Sequence, residues 1–198
     1  MMRVLKMLSD KRDDFELVIL GNMEKFRVIA KDIPVEWHEF TALEVYPLKL
    51  AALEFDIGLI PLENHSFNLS KSALKWNEYS ALKIPSVVSD LAPYDCVTDG
   101  VDGMKAKDET EFAQKIEALM DDAVLRKKIA QNAYERNRAD FNIDKICYRW
   151  LDAFEKAHLL PHTVTYNGEV LKPLTQEVVN LANAPLDVLS EPMLKGAN

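Results

Sequence analysis

The stretch Asn68-Leu-Ser-Lys-Ser-Ala-Leu-Lys-Trp-Asn-Glu-Tyr-Ser-Ala-Leu-Lys-Ile-Pro-Ser-Val-Val-Ser-Asp90 decides how the rest of the chain is read. It predicts a polar loop, a helix of about three turns, a proline stop and a short buried strand. Ser70 or Ser72 is placed to cap the helix start, because a hydroxyl there accepts from a backbone N–H with no partner inside the helix. Ile84-Pro85 predicts the end, since the residue before proline is pushed out of the α region. Ser86-Val-Val-Ser89 predicts a strand, because β-branched side chains pack well on a pleated surface.

Within the helix, Lys71, Lys75 and Glu78 fall at i, i+4 and i+7 and so share one face. At about 1.5 Å per residue, Lys71 and Glu78 stand roughly 10 Å apart along the axis. A helix N-terminus carries about half a positive charge and several unpaired N–H donors. With Ser70, Lys71 and Ser72 beside it, that end suits a phosphate. A carboxylate two turns further on suits paired hydroxyls such as those of a ribose. The same spacing also describes a solvated Lys/Glu face, held by pairs worth a few tenths of a kcal/mol each.

Working outward, strands and helices alternate. Val4 to about Lys11 reads as the end of a helix, and Phe15–Leu20 as a buried strand running into Gly21. Met23–Lys31 is an amphipathic helix, and Val35–Phe40 a strand. Tyr46–Glu54 is a helix with Pro47 in its first turn, where the missing N–H costs nothing. Asp56–Leu62 is a core strand, and Gly103–Ala106 the last short one. Asp108-Glu-Thr-Glu111 opens a helix with acids at its positive end, followed by helices over Val124–Asp140 and Ile143–His158. Such alternation predicts an α/β fold with a doubly wound parallel sheet. In these sheets ligands bind beyond the carboxyl ends of the strands. The loops after Phe40, Leu62 and Ser89 should therefore meet at one crevice. Trp37, Tyr46 and Trp76 are within reach of a base there, or else belong to the core. In the loop Asn64–Asn68, His65 and Asn68 are candidates for contacts to a sugar or a leaving group.

After Leu160 the pattern changes. Thr163–Leu171 alternates around Asn167-Gly168, a hairpin signal. Gln176–Ala182 reads as a short helix, and the remainder is punctuated by proline. The expected division is a domain over residues 1–158 and an extension or linker over 159–198.

Bulk properties narrow the class. The chain has 198 residues, 48% hydrophobic and 28% charged, the balance of an ordinary globular protein. A net charge of −8 argues against a nucleic-acid partner held by a basic surface. No apolar run approaches the length of a membrane span, and Met1–Arg12 lacks a secretory core. The two cysteines, Cys96 and Cys147, form no visible framework, so the cytoplasm is the expected compartment. His158 and His162 are four apart with Pro161 between them, and no further ligands complete a metal set.

The run from about Asp56 to about Trp150 resembles the C-terminal, nucleotide-sugar-binding domain of a GT-B glycosyltransferase of the group 1, GT4-like kind. The matching words are Asp56-Ile-Gly-Leu-Ile-Pro-Leu62, Ser70-Lys-Ser-x-x-Lys75, Glu78-Tyr-x-Ala-Leu-x-Ile-Pro-x-Val-Val-x-Ser-Asp90, Pro93-Tyr94 and Asp99-Gly-x-x-Gly103. The resemblance implies a Rossmann-like doubly wound parallel sheet with a helical C-terminal part. It implies that Glu78 binds the donor ribose, and that Ser70, Lys71, Ser72 and Lys75 meet the donor diphosphate. A second glutamate usual in the family, eight residues earlier, is Ser70 here. The implied activity is a metal-independent, retaining sugar transfer. It uses a nucleotide-diphosphate sugar as substrate and no cofactor, and its acceptor lies at a membrane periphery.

The resemblance also implies gaps. The intact family enzyme has a further, N-terminal acceptor domain, here to be supplied elsewhere or by a partner chain, so this chain alone is expected to lack turnover. The first strand of the domain is absent as well, which predicts a slot between Phe15–Leu20 and Asp56–Ile60. Three repairs are open: the flanking strands close up, the tail hairpin inserts, or another chain donates a strand. The competing readings are a non-catalytic nucleotide-binding remnant, a Rossmann-like interaction module, or a different doubly wound protein such as an epimerase half.

Overall fold

Helices and strands alternate through the first of two compact units, Met1–Ile146 and Cys147–Asn198. The computed structural model describes residues 1–21, 24–159, 164–166 and 169–171. In the first unit the order is α1 (Met2–Lys11), β1 (Leu17–Leu20), α2 (Glu24–Ile29), β2 (Val35–His38), α3 (Tyr46–Ala52), β3 (Gly58–Ile60), α4 (Ser66–Leu69), α5 (Leu74–Ala81), β4 (Ser86–Ser89), a 3₁₀ turn (Ala92–Tyr94), β5 (Met104–Ala106), α6 (Glu109–Asp121) and α7 (Ala123–Asp140). Helix α8 (Ile143–Leu159) spans the boundary between the units. In the second unit β6 (Val164–Tyr166) and β7 (Glu169–Leu171) pair antiparallel, as the hairpin signal predicts. The helix expected over Gln176–Ala182 lies outside the described residues.

Every strand pair in the first unit is parallel. Because successive strand residues point to opposite faces, Val87 joins one buried cluster and Val88 the other. On the Val87 side lie Val4 and Leu8 of α1 and Phe112, Ile116 and Leu119 of α6. On the Val88 side lie Trp76 of α5 and Ala133 of α7. Helices thus cover both faces, the doubly wound arrangement that the alternation predicts. Burying each valine contributes about 1.5–3 kcal/mol.

The ladder is broken at one place. Strands β1 and β2 form one sheet and β3-β4-β5 another, with no pairing between β1 and β3. The flanking strands therefore do not close up, and that expected repair is excluded. Leu5 of α1 packs in one cluster with Leu17 and Ile19 of β1 and Leu59 of β3, so the helix lies against both strands beside the break.

The site helix differs from its sequence reading. One long helix from Ser70 or Ser72 is expected, but the chain forms the single turn α4 and then the eight-residue α5. Neither serine caps α5: its N-cap is Ala73, with no side-chain hydrogen bond. The Ser70 hydroxyl instead donates to the Ser66 carbonyl at 3.1 Å, and the Lys71 N–H to the Asn68 carbonyl at 3.2 Å. These local bonds satisfy α4 and leave Lys71 outside α5, so Lys71 does not share a helical face with Lys75 and Glu78. Pro85 is not the immediate stop either. Lys83 adopts the left-handed conformation (φ 57°), its N–H donating to Ser80, and the Ile84 N–H reaches back to Tyr79. That pair of bonds is a Schellman cap with lysine in the position glycine usually takes.

Three contacts fix the roll of α5. The Trp76 indole N–H, fully buried, donates to the Asp102 carbonyl at 3.0 Å. Tyr79 packs on β3 at Gly58, where a Cβ would sit 2.4 Å from its ring. Asn137 of α7 donates to the Asn77 carbonyl at 3.2 Å. With Trp76 and Ser80 turned inward, Lys75 and Glu78 face out.

Candidate functional site

Glu78 and Lys75, three apart on α5, form an ion pair of 2.8 Å. Tyr46, at the start of α3, joins them from the connection after β2. Lys75 Nζ donates to the Tyr46 hydroxyl at 2.7 Å, and that hydroxyl donates to Glu78 Oε2 at 3.0 Å. The Lys75 ammonium also stands 4.7 Å over the Tyr46 ring. The elements after β2 and β3 therefore do meet, as a doubly wound sheet predicts. At the carboxyl end of β4, Ser89 Oγ accepts from the Leu62 N–H at 2.7 Å and donates to the Leu62 carbonyl at 3.1 Å, tying the end of β4 to the segment after β3.

The electrostatics hold this group in one protonation state. Burial opposes charge on Lys75, but its bonds to Glu78 and Tyr46 outweigh burial and raise its pKa above the ordinary value. Burial raises the Tyr46 pKa also. At neutral pH the phenol is thus a donor and the ammonium a full charge. Only Oε2 of Glu78 is engaged; Oε1 has no partner among the described residues. Lys75 has three donors, two of them used. The unused acceptor and the unused donor both lie on the outward face.

The start of α5 adds N–H groups. The first helical bond runs from the Asn77 N–H to the Ala73 carbonyl at 3.0 Å. The N–H groups of Leu74, Lys75 and Trp76 therefore precede the ladder and have no intrahelical acceptor. Ser72, exposed, lies just ahead of them. Lys71 is exposed, its ammonium 5.1 Å over the Phe67 ring. Ser70 points back to Ser66 and is engaged there. His65 caps α4, its Nδ1 accepting from the Phe67 N–H at 3.1 Å, and Asn68 donates to the Glu63 carbonyl at 2.9 Å. Both sit on the α3–α5 side of the chain in sequence, but no hydrogen bond joins either to Lys75 or Glu78.

Of the aromatic candidates, Trp76 is core, edge-on to Phe141 at 5.7 Å. Trp37 packs edge-on against Phe26 at 6.3 Å. Tyr46 alone reaches the site, through its hydroxyl and not by offering its face to a base. That role had no signature in the sequence beyond its place at the start of a helix following a strand. Among the described residues, no group of three His, Cys, Asp or Glu side chains is placed to hold a metal ion, and no helix is long and apolar enough to cross a membrane.

An α/β unit with parallel strands and helices on both faces defines a Rossmann-like, doubly wound domain. The sequence model described as glycosyl transferases group 1 matches residues 1–122, so the chain belongs to that family. Solved structures share the fold at low identity. A mutant of S. aureus TarM in complex with fondaparinux, alpha-GlcNAc-glycerol and UDP superposes at TM-score 0.61 and 20% identity, covering 77% of this chain and 31% of that one. Anabaena HepE in complex with UDP-glucose gives TM-score 0.62 and 16% identity, covering 78% and 44%. The C-terminal domain of a group 1 glycosyl transferase, LpcC of Francisella tularensis, gives 0.56 and 19%, covering 72% and 77%. The chain thus spans less than half of TarM and HepE, and most of an isolated C-terminal domain. A comparison with curated proteins gives no match.

Proposed function

We propose that this chain is the donor-binding domain of a glycosyltransferase, holding a nucleotide-diphosphate sugar for metal-independent, retaining transfer. The observation that carries the reading is the Lys75–Tyr46–Glu78 group at the start of α5, in a member of this family. Glu78 Oε1 accepts from the ribose hydroxyls while Tyr46 and Lys75 hold Oε2. The diphosphate lies over the free N–H groups of α5, with Ser72, Lys71 and the third donor of Lys75 beside it. Ser70 contributes once its hydroxyl turns from Ser66, and His65 and Asn68 line the approach of the sugar. Charge gathers on the leaving diphosphate in the transition state, so fixed N–H groups and ammonium ions there lower the barrier.

Residues 1–158 form this domain in the proposal, and 159–198 an extension. Acceptor binding and turnover belong to a further domain or a partner chain, with the acceptor at a membrane periphery and the reaction in the cytoplasm. Titration calorimetry with UDP-, GDP- and ADP-sugars tests the reading. Micromolar binding of one of them, lost in Glu78→Ala, supports it; no binding of any overturns it.

One observation favours a second reading, a nucleotide-binding remnant without turnover. Where the resemblance leads one to expect a sugar-contacting glutamate stands Ser70, whose hydroxyl is engaged within α4. Donor binding without sugar release in the presence of any acceptor fraction would select this reading.

A further inference from the structure

Ser89 stands at a fork between two strands. In a parallel ladder every second residue of one strand bonds its neighbour. The Gly58 N–H donates to the Pro85 carbonyl at 2.8 Å, and Leu59 and Ile60 follow in register with Val87 and Val88. Continued by the same step, the Leu62 N–H would reach the Ser89 carbonyl. It donates to the Ser89 hydroxyl instead, at 2.7 Å, and that hydroxyl donates to the Leu62 carbonyl at 3.1 Å. The Ser89 carbonyl accepts from the Leu91 N–H at 2.9 Å, which turns the chain out of β4.

One nearly fully buried residue therefore starts two loops at the carboxyl ends of the strands. Its backbone opens the loop after β4, whose 3₁₀ turn is in contact with α4. Its side chain fixes Leu62, from which the chain passes through Glu63 to α4. Pro61, just before, has no N–H to offer, which makes Leu62 the first N–H anchored after Ile60. The Glu63 carbonyl in turn accepts from the Asn68 side chain at 2.9 Å, so the placing of Leu62 is passed on to the loop that carries His65 and Asn68. A hydroxyl can donate and accept at once; a methyl group does neither. The helix bearing Lys75 and Glu78 is seated by other contacts, through Trp76, Asn77 and Tyr79. The two ends of the site thus have separate supports.

We propose that Ser89 is a positioning residue for the sugar end of the donor site: through Leu62 it sets the loop of His65 and Asn68, and so discriminates a nucleotide sugar from the nucleotide alone. This deepens the proposed donor-binding function and rests on it. The test is calorimetry on the full chain with UDP-glucose and UDP, GDP-mannose and GDP, and ADP-glucose and ADP, followed through the pair that binds. Ser89→Ala should weaken the nucleotide sugar roughly five- to tenfold, as expected for a lost hydrogen bond, and the free diphosphate less than about twofold. Ser89→Thr, which keeps the hydroxyl, should restore the original ratio. Ser89→Cys, nearly the same shape with a weak donor, should follow Ser89→Ala, which separates the hydroxyl from the space it fills. Amide hydrogen exchange at Leu62 should quicken about tenfold in Ser89→Ala while Val88 keeps its rate, a sign that the sheet is intact. Equal weakening of both members of the pair, weakening of neither, or an unchanged Leu62 amide would each overturn this inference alone. Failure of the unsubstituted chain to bind any pair would overturn the proposed function and this inference together.

Discussion

The Tyr46 hydroxyl donates to Glu78 Oε2 at 3.0 Å across 32 residues of sequence. This one bond ties the connection after β2 to the helix after β3, and sets the direction of the carboxylate that the proposed ribose contact uses. Exposed ion pairs contribute little to stability, roughly 0.2–1 kcal/mol. With Lys75 about half exposed, the group's role is orientation more than cohesion.

Removing the carboxylate should be costly for binding. A hydrogen bond to a charged group is worth about 1.5–3 kcal/mol, so Glu78→Ala should weaken nucleotide-sugar affinity roughly 10- to 100-fold. Tyr46→Phe keeps the ring and loses only the bond to Oε2, and should weaken it less, about three- to tenfold. Calorimetry on both variants checks this; an unchanged affinity in Glu78→Ala would remove the ribose assignment.

The same group predicts a flat pH profile. Both Tyr46 and Lys75 have pKa values raised above the ordinary 10.0 and 10.5. A raised pKa keeps the protonated form present until pH climbs through the folded value, so neither group changes state near neutrality. Donor affinity should hold constant from about pH 6 to 9. A midpoint inside that window would show that another group governs binding.

Gly58 should tolerate no side chain. A Cβ there meets the Tyr79 ring at 2.4 Å, so Gly58→Ala must displace the ring that seats α5 on β3. Overpacking of this kind costs about 1–3 kcal/mol. Pairing it with Tyr79→Leu should recover part of the loss, which chemical denaturation of both variants would measure.

Asp102 should matter more than its place in an Asp-Gly turn suggests. Its carboxylate, nearly fully buried, accepts from the Thr98 N–H at 2.7 Å and from Arg136 at 2.5 Å. Asp102→Ala would leave that N–H unpaired and Arg136 without its main partner. Because Arg136 is one-third exposed, the expected cost is roughly 2–4 kcal/mol, below the range for a fully buried pair. A loss under about 0.5 kcal/mol would mean that water replaces the carboxylate there.

Much of the architecture was legible because it rests on periodicity. The Val87–Val88 strand, the Asp108 cap on α6 (its carboxylate accepts from the Glu111 N–H at 2.9 Å) and the antiparallel pairing of β6 with β7 all follow from local chemistry. The start of α5 was not legible, since the Ser70 hydroxyl could either accept from a helix N–H or donate to a carbonyl, and only the folded loop decides that it turns back to Ser66. Lys71 was misplaced for the same reason. Tyr46 is a sequence candidate for stacking a base, but its actual bond to Glu78 was not legible because that partner is 32 positions away and nothing local marks it. The split between the sheets follows the expected slot, but which of the three repairs the strands adopt was not legible, because pairing between β1 and β3 is a tertiary fact.

Trp76 gives the molecule a built-in reporter. Its indole is sealed from water and bonded to the Asp102 carbonyl, directly beneath the helix that carries Glu78, whereas Trp150 is largely exposed. Any rearrangement that lifts this helix or loosens the 98–103 turn must wet that ring and red-shift its emission, so the state of the crevice is readable by fluorescence without a label.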